Sequence, residues 1–298
     1  MTINAPASSR RLTAHPCAKI NLTLDVLGRR TNGFHEIRSL VVGVDLRDTL
    51  TFTPATTPGI HITCSDPALV TPDNLAVRAA LTLARSIGIV PAIKLHLEKR
   101  IPVGGGMGGG SSDAAAALRL CNHIWHAGLG TGELSRLGAQ LGSDIPLFFQ
   151  LPAALVTGRG EFVEPVSMKW RGWVLLAFAG TLVPTADVYR AYTPADGATS
   201  ARGQDVAVRQ ASTAAELSTM LGNDLESAVF RVSPSVARVR DRIHKLGVGP
   251  MRVSGAGSTL FCLFDEELDA RRTAGQLNDH GIAPEVAAAP TDHDHLLA

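Results

Sequence analysis

The stretch IPVGGGMGGGSSDAA, Ile101 to Ala115, places six glycines in seven positions directly before a run of good helix formers. Glycine loses more backbone freedom on folding than any other residue. Such a run therefore belongs where the chain must turn left-handed or approach another group with no Cβ between. An alternating strand pattern, AIKLHLE at 92–98, leads into it, and a helix pattern from Ser112 to Trp125 follows, with Ser-Ser-Asp expected to cap the start. That order aims free backbone N–H groups and the positive end of a helix dipole at an anion. A phosphate loop is the expectation, against the alternative of a flexible surface linker.

Two familiar phosphate loops match only superficially. Gly104, Gly106 and Gly109 satisfy G-x-G-x-x-G, but a window this glycine-rich makes the match near-inevitable. The acidic partner that a dinucleotide fold needs has only Glu133, in a turn and helix start, as a candidate. Gly105 to Ser112 has Walker A spacing with Ser111 where the lysine belongs. Ser111 and Ser112 either cap the helix or bind phosphate oxygens and Mg²⁺, and the cation must come from elsewhere. Lys19, flanked by Ala18 and Ile20, is either an edge-strand charge or a pre-positioned cation. Asp144 in LGSDIPLFF is either a turn residue or a carboxylate held to accept a proton from a hydroxyl nucleophile.

The 298 residues are 45% hydrophobic and 18% charged, and two domains are expected, divided between Glu164 and Gly172. A net charge of +1 supplies no basic field for nucleic acid, and Arg29-Arg30, Lys99-Arg100 and Arg238/Arg240/Arg242 read as solvated faces. Four scattered cysteines indicate neither a disulfide framework nor a zinc site and fit reduced thiols in a cytoplasm. The longest apolar run, GWVLLAFAGTLV, is shorter than the roughly 20 residues of a membrane span. The N-terminus lacks a signal-peptide core and reads as a loose leader, so secretion is not expected.

Strand patterns cover 12–17, 20–27, 36–45, 49–52 and 60–63, with turns at Asn32-Gly33 and Thr57-Pro58-Gly59. A helix starting near Asp73 follows, then the 92–98 strand, the glycine loop and its helix, a short helix at 132–141, and strands at 154–157 and 161–166. Beyond residue 171 the pattern gives a strand, helices near 185–191, 213–220, 224–230 and 235–246, strands at 251–253 and 259–264, a helix at 266–280 and a last strand at 284–287. Residues 193–210 read as a long surface loop. The whole is an α+β pattern.

Four segments, AKINLTLDVLGRRTNGFHE, PVGGGMGGGSSDAAAAL, LGSDIPLFF and MRVSGAGSTLFCLF, resemble in order and interval the signature segments of the GHMP kinases. AKINL with GFHE and GSDIP resembles the branch that acts on a diphosphocytidyl-linked erythritol. TGRGE (157–161) and VPTADVY (183–189) add support, so the likeness spans Ala18 to Phe264. It implies an α+β GHMP kinase fold, with an ATP-binding, ribosomal protein S5 domain 2-like half at 1–167 and a ferredoxin-like half at 168–298. It further implies a cytoplasmic enzyme of the non-mevalonate isoprenoid pathway, with ATP as co-substrate and Mg²⁺. The substrate would be a small-molecule cytidyl diphosphate phosphorylated on its 2-hydroxyl. No nucleic-acid or membrane partner is implied, and the state would be monomer or homodimer.

By the same resemblance Lys19 orients and activates near the acceptor hydroxyl, Asp144 is the general base and Asn21 holds the substrate. His35 reads the cytosine edge between aromatic walls from Phe34 and Tyr189, with Thr185 lining that side. Phe34 stands where tyrosine is frequent, which keeps the stacking face and loses a hydroxyl contact. Asn74 and Lys99 lie around the adenine. Pro102 and Val103 are ATP-binding, Gly104, Gly105, Gly106, Met107, Gly108, Gly109, Gly110, Ser111 and Ser112 form the triphosphate cradle, and SGAGS (254–258), by itself a β-turn signal, packs beside it. Phosphoryl transfer is loose and needs mostly positioning and charge neutralisation, which such a set supplies.

Another GHMP small-molecule kinase and a non-catalytic ligand-binding member of the fold are the alternative readings. Among ten histidines, His293 and His295 form the tightest pair, in a tail that reads as disordered, and no metal ligands are assigned.

Overall fold

A computed structural model describes residues 11–31, 33–194 and 205–292. The expected leader up to residue 10, Asn32 of the Asn32-Gly33 turn, residues 195–204 of the expected loop and the His293/His295 pair lie outside the described residues.

The first half runs β1 (Leu12–Ala14), β2 (Cys17–Asn21), β3 (Thr23–Arg29), β4 (His35–Arg47), β5 (Thr49–Pro54), β6 (Gly59–Cys64), α1 (Leu75–Ser86), β7 (Ala92–Glu98), α2 (Gly109–Ile124), α3 (Thr131–Ala139), β8 (Ala153–Gly158) and β9 (Phe162–Pro165). The second runs β10 (Gly172–Phe178), α4 (Thr185–Ala191), α5 (Asp205–Gln210), α6 (Ala214–Met220), β11 (Gly222–Asn223), α7 (Glu226–Val232), α8 (Pro234–Lys245), β12 (Arg252–Val253), β13 (Thr259–Phe264), α9 (Glu267–Asn278) and β14 (Pro284–Ala289).

Pro16, with no N–H to give a ladder, parts the expected 12–17 strand, so β1 joins β5 while β2 joins β4. One sheet has the order β1-β5-β7-β6, and a second is built on β4, which carries β2 and β3 as well as β8. The third sheet, β12-β13-β10-β14, has helices after β10 and after β13 and is the ferredoxin-like β-α-β-β-α-β unit. The α+β reading holds. β11 crosses back from the second half to pair in parallel with β3.

α2 is the central helix. Its run Ala114 to Leu118, with Leu120 and Cys121, is buried on all sides, and the small alanines let it pack closely on α1 and on the first sheet. Two expectations change here. The helix starts at Gly109 rather than Ser112, and its N-cap is Gly108 in the left-handed region (φ +72°) with no side chain capping it. Ser112 is fully buried, and its hydroxyl donates to the Cys17 carbonyl at 2.7 Å, so it ties α2 to β2 instead of capping. Residues 205–210 are a helix, not loop: Val208 is buried, and Asp205 receives both Arg38 guanidinium donors at 3.0 Å.

Candidate active site

The glycine loop lines a pocket of about 430 Å³ with Asn74, Lys99, Ser111 and Asp113, within the usual size of small-molecule sites. The N–H groups of Gly109, Gly110 and Ser111 head α2 with no side-chain acceptor, which leaves the dipole end open to an anion. Gly106 explains part of the glycine content. At φ +75°, a Cβ there would lie 2.7 Å from the carbonyl oxygens of both Gly257 and Ser254. The SGAGS turn therefore seats directly on the loop, and the Thr259 N–H donates to the Gly105 carbonyl at 3.2 Å.

Of the expected ATP-binding and cradle residues, Pro102, Val103, Gly104 to Gly110 and Ser111 line the pocket. Met107 does so through its backbone, since its side chain is buried in the core with Ala18 and Ile20. Ser112 does not line it, for the reason given above.

Asn74 lines the pocket as the N-cap of α1, accepting from the Ala76 N–H at 2.9 Å and donating to the Leu69 carbonyl at 3.0 Å. Lys99 is not a solvated charge: its ammonium sits buried between Asp48 and Asp113, 3.0 Å from the latter. Burial opposes its charge, but the two carboxylates outweigh that and hold its pKa above the ordinary value. Asp48 also receives the Arg100 and Ile101 N–H groups at 2.6 and 2.9 Å, so this triad fastens the entry of the loop. Asp113, pressed by burial and by Asp48 against the pull of Lys99, is pushed up to about 8. Arg30 is likewise paired, with Glu36 at 2.5 Å and Glu161 at 3.0 Å, which ties the GFHE hairpin to TGRGE. The reading of Lys99 as part of a solvated face is thus corrected, whereas Arg29 and Arg100 are exposed as expected and Arg30 is partly covered by its two carboxylates.

Lys19 is 7% exposed on β2, beside Gly108 and Gly255. Its backbone N–H donates to the Met107 carbonyl at 3.0 Å, and its ammonium donates to Asn21 Oδ1 at 2.7 Å. Burial lowers its pKa, and the nearby Asp144 carboxylate works against that. Asp144 is exposed on the turn after α3 and near Gly160; no ion pair within 4.0 Å joins it to Lys19. The same carboxylate bears on Tyr189, whose hydroxyl is pushed up to about 12, chiefly by burial. Lys19, Asp144 and Tyr189 thus share one electrostatic neighbourhood.

His35 opens β4, and its ring stacks on Tyr189 (centroids 5.0 Å apart, 24° between planes) with Tyr192 edge-on at 5.9 Å. Burial and then Arg29 lower its pKa, favouring the neutral ring. Tyr189 therefore packs on His35 itself instead of standing opposite Phe34 across a gap. Phe34 is 52% exposed, with the Arg159 guanidinium 5.2 Å above its ring. Thr185 is exposed in the first turn of α4, one helical turn before Tyr189. Sequence reading missed Tyr192, although the spacing of VYRAY puts it near Tyr189 on the helix. It also missed Ser39 and Asp48, which carry no local signal, and it assigned no partner to Glu161 of TGRGE.

Residues 74–150 match the family model of the GHMP kinases N-terminal domain, and residues 206–283 match that of the GHMP kinases C-terminal domain. A 4-diphosphocytidyl-2-C-methyl-D-erythritol kinase from Shouchella clausii is 34% identical over 272 residues, 91% of each chain. One from Salinibacter ruber is 36% identical over 92% of this chain and 97% of its own. The chain belongs to the GHMP kinases, in the 4-diphosphocytidyl-2-C-methyl-D-erythritol kinase family. A crystal structure of a 4-(cytidine 5'-diphospho)-2C-methyl-D-erythritol kinase superposes with a TM-score of 0.77 at 33% identity, covering 93% of this chain and 98% of that one. A homoserine kinase from Cytophaga hutchinsonii, at 15% identity and a TM-score of 0.71, shares the GHMP kinase fold.

Proposed function

We propose that this GHMP kinase transfers the γ-phosphate of ATP to the 2-hydroxyl of 4-diphosphocytidyl-2-C-methyl-D-erythritol, a cytoplasmic step of non-mevalonate isoprenoid synthesis. The observation that carries the reading is a buried lysine, Lys19, at the N-terminal end of α2 with the Asp144 carboxylate close enough to bias its charge. The free N–H groups of Gly109, Gly110 and Ser111 receive triphosphate oxygens, and the Asn74 and Lys99 side of the pocket takes the adenosine. The acceptor oxygen bonds to the γ-phosphorus as its proton passes to Asp144. The bond from that phosphorus to the bridging oxygen breaks, and ADP leaves with the electron pair. Lys19 as a cation offsets charge on the transferring group, which positioned electrostatics do well in a water-poor site.

Asn21 spends its carbonyl on Lys19 and one N–H on Ser39, so a single N–H remains for the substrate. A neutral His35, backed by Tyr189 and Tyr192, suits an uncharged pyrimidine edge. Among the described residues no group of three or more His, Cys, Asp or Glu side chains converges to hold a metal ion. Mg²⁺ is accordingly proposed to enter on the triphosphate oxygens, which supply most of its ligands in kinase sites and neutralise their charge.

An ADP-release assay with the cytidyl substrate, homoserine, mevalonate and galactose tests the assignment. Turnover with the cytidyl compound is expected, and turnover with only one of the other three refutes it.

A further inference from the structure

Lys19 does not stand alone in the protein. Its ammonium, a pure donor, faces Asn21 Oδ1 at 2.7 Å. Asn21 Nδ2 then donates to Ser39 Oγ at 2.7 Å, and the Ser39 hydroxyl donates to the Thr23 carbonyl at 2.5 Å. The chain has one polarity only, because it begins at a group that can only give a proton and ends at one that can only accept. Lys19, Asn21, Ser39 and Thr23 are all buried, Ser39 completely. Three strands supply it. β2 holds Lys19 and Asn21 on one face two residues apart, the middle of β4 holds Ser39, and β3 supplies the carbonyl.

From this geometry we infer that Ser39 is a positioning residue for the phosphoryl transfer: it fixes the orientation of the Asn21 amide, and the amide in turn aims the Lys19 ammonium. An Asn amide has nearly the same shape in its two orientations, so sterics alone do not choose between them. If the amide turned over, its NH₂ would face the ammonium, and the lysine would lose its acceptor and meet a donor dipole. With Ser39 in place, the turned amide would set its carbonyl against Ser39 Oγ, whose proton is already committed to Thr23. The wrong orientation thus faces two mismatches, and a buried unmatched polar contact is costly. Without the hydroxyl only one mismatch remains. Ser39 is too deeply buried to touch a substrate, so any effect on rate passes through Asn21 and Lys19.

The inference rests on Lys19 acting in the transfer, and the test separates the two claims. Purified full-length Ser39→Ala, Asn21→Ala, Lys19→Met and the Ser39→Ala/Asn21→Ala double variant are compared in the ADP-release assay with ATP and the cytidyl substrate. The expected result for Ser39→Ala is a kcat loss of about 10- to 100-fold, the scale of a slightly misplaced catalytic group, with KM for ATP held within about twofold. The double variant should be no slower than Asn21→Ala alone, since a residue acting through Asn21 has nothing left to orient. Wild-type kcat in Ser39→Ala, or a double variant slowed by the product of the two single effects, overturns the inference. If Lys19→Met itself keeps near-normal kcat, the catalytic reading of Lys19 falls instead. Should Ser39→Ala not fold, Ser39→Thr, which keeps the hydroxyl, is measured: more than about half of wild-type kcat is expected, and a tenfold loss with an unchanged melting temperature overturns the inference.

Discussion

Replacing Gly106 with alanine probes the junction on which the proposed nucleotide site rests. The residue has φ +75°, where an L side chain costs about 1–2 kcal/mol. Its new Cβ would stand 2.7 Å from two carbonyl oxygens, those of Ser254 and Gly257, a distance real Cβ atoms essentially never show. Both neighbours are backbone, so relief requires the SGAGS turn and the loop to part, an overpacking cost of about 1–3 kcal/mol. Together these give about 2–5 kcal/mol, a large share of the total stability of about 5–15 kcal/mol typical of folded proteins. At about 2–4 °C per kcal/mol for a chain of this size class, the melting temperature should fall by about 4–20 °C. The same shift withdraws the loop from phosphate oxygens, so KM for ATP should rise by about tenfold or more. Gly110→Ala is the control. That position is helical, its Cβ would meet Leu75 Cδ1 at an ordinary 3.5 Å, and alanine there should change stability by no more than about 1 kcal/mol, in the favourable direction. Thermal unfolding followed by circular dichroism, with ATP-dependent kinetics, reads both. A Gly106→Ala protein with wild-type melting temperature and unchanged KM for ATP would refute the argument that the turn and the loop are jammed together.

Asp144→Asn should lower kcat by about 10²–10⁴-fold while a non-hydrolysable ATP analogue binds as before; near-normal kcat would remove the base assignment. Tyr192→Ala takes away the edge contact on His35 and should raise KM for the cytidyl substrate by about tenfold without moving KM for ATP, a split that steady-state kinetics resolves. Asp113 supplies a pH signature. Its folded-state pKa, about 8, lies above its ordinary 3.8, so its contribution to stability is complete below about pH 4 and is lost as pH rises through about 8. The melting temperature of the wild type should therefore fall across that window relative to Asp113→Asn, and parallel curves for the two proteins would dismiss the burial argument.

What was legible in the sequence, and what was not, follows from where the physical constraint sits. The glycine loop stood out because only a steric demand justifies so many glycines, and Gly106 against two carbonyl oxygens is such a demand. Lys19 stood out as a charge inside an apolar strand pattern. The start of α2 was misread because Ser-Ser-Asp is a strong local capping signal and glycine a poor helix former. Tertiary contact reversed that preference: Ser112 is taken by the Cys17 carbonyl, and Gly109 enters the helix where Lys99 and Ile101 leave no room for a side chain. The partners of buried charges were the hardest to see. Lys99 finds Asp48 51 residues away and Asp113 14 away, and neither spacing has a period that a strand or helix would print on the chain. Ser39 is the sharpest case. It sits within β4 between Arg38 and Leu40, where a single serine reads as an incidental polar residue, yet its burial obliges its hydroxyl to find both a donor and an acceptor. It finds Asn21 and Thr23, one on each of the two strands that pair in succession along one edge of β4. Local patterns thus reveal where chemistry is placed, while the polar satisfaction of the core, which only the fold can express, reveals what holds that chemistry in aim.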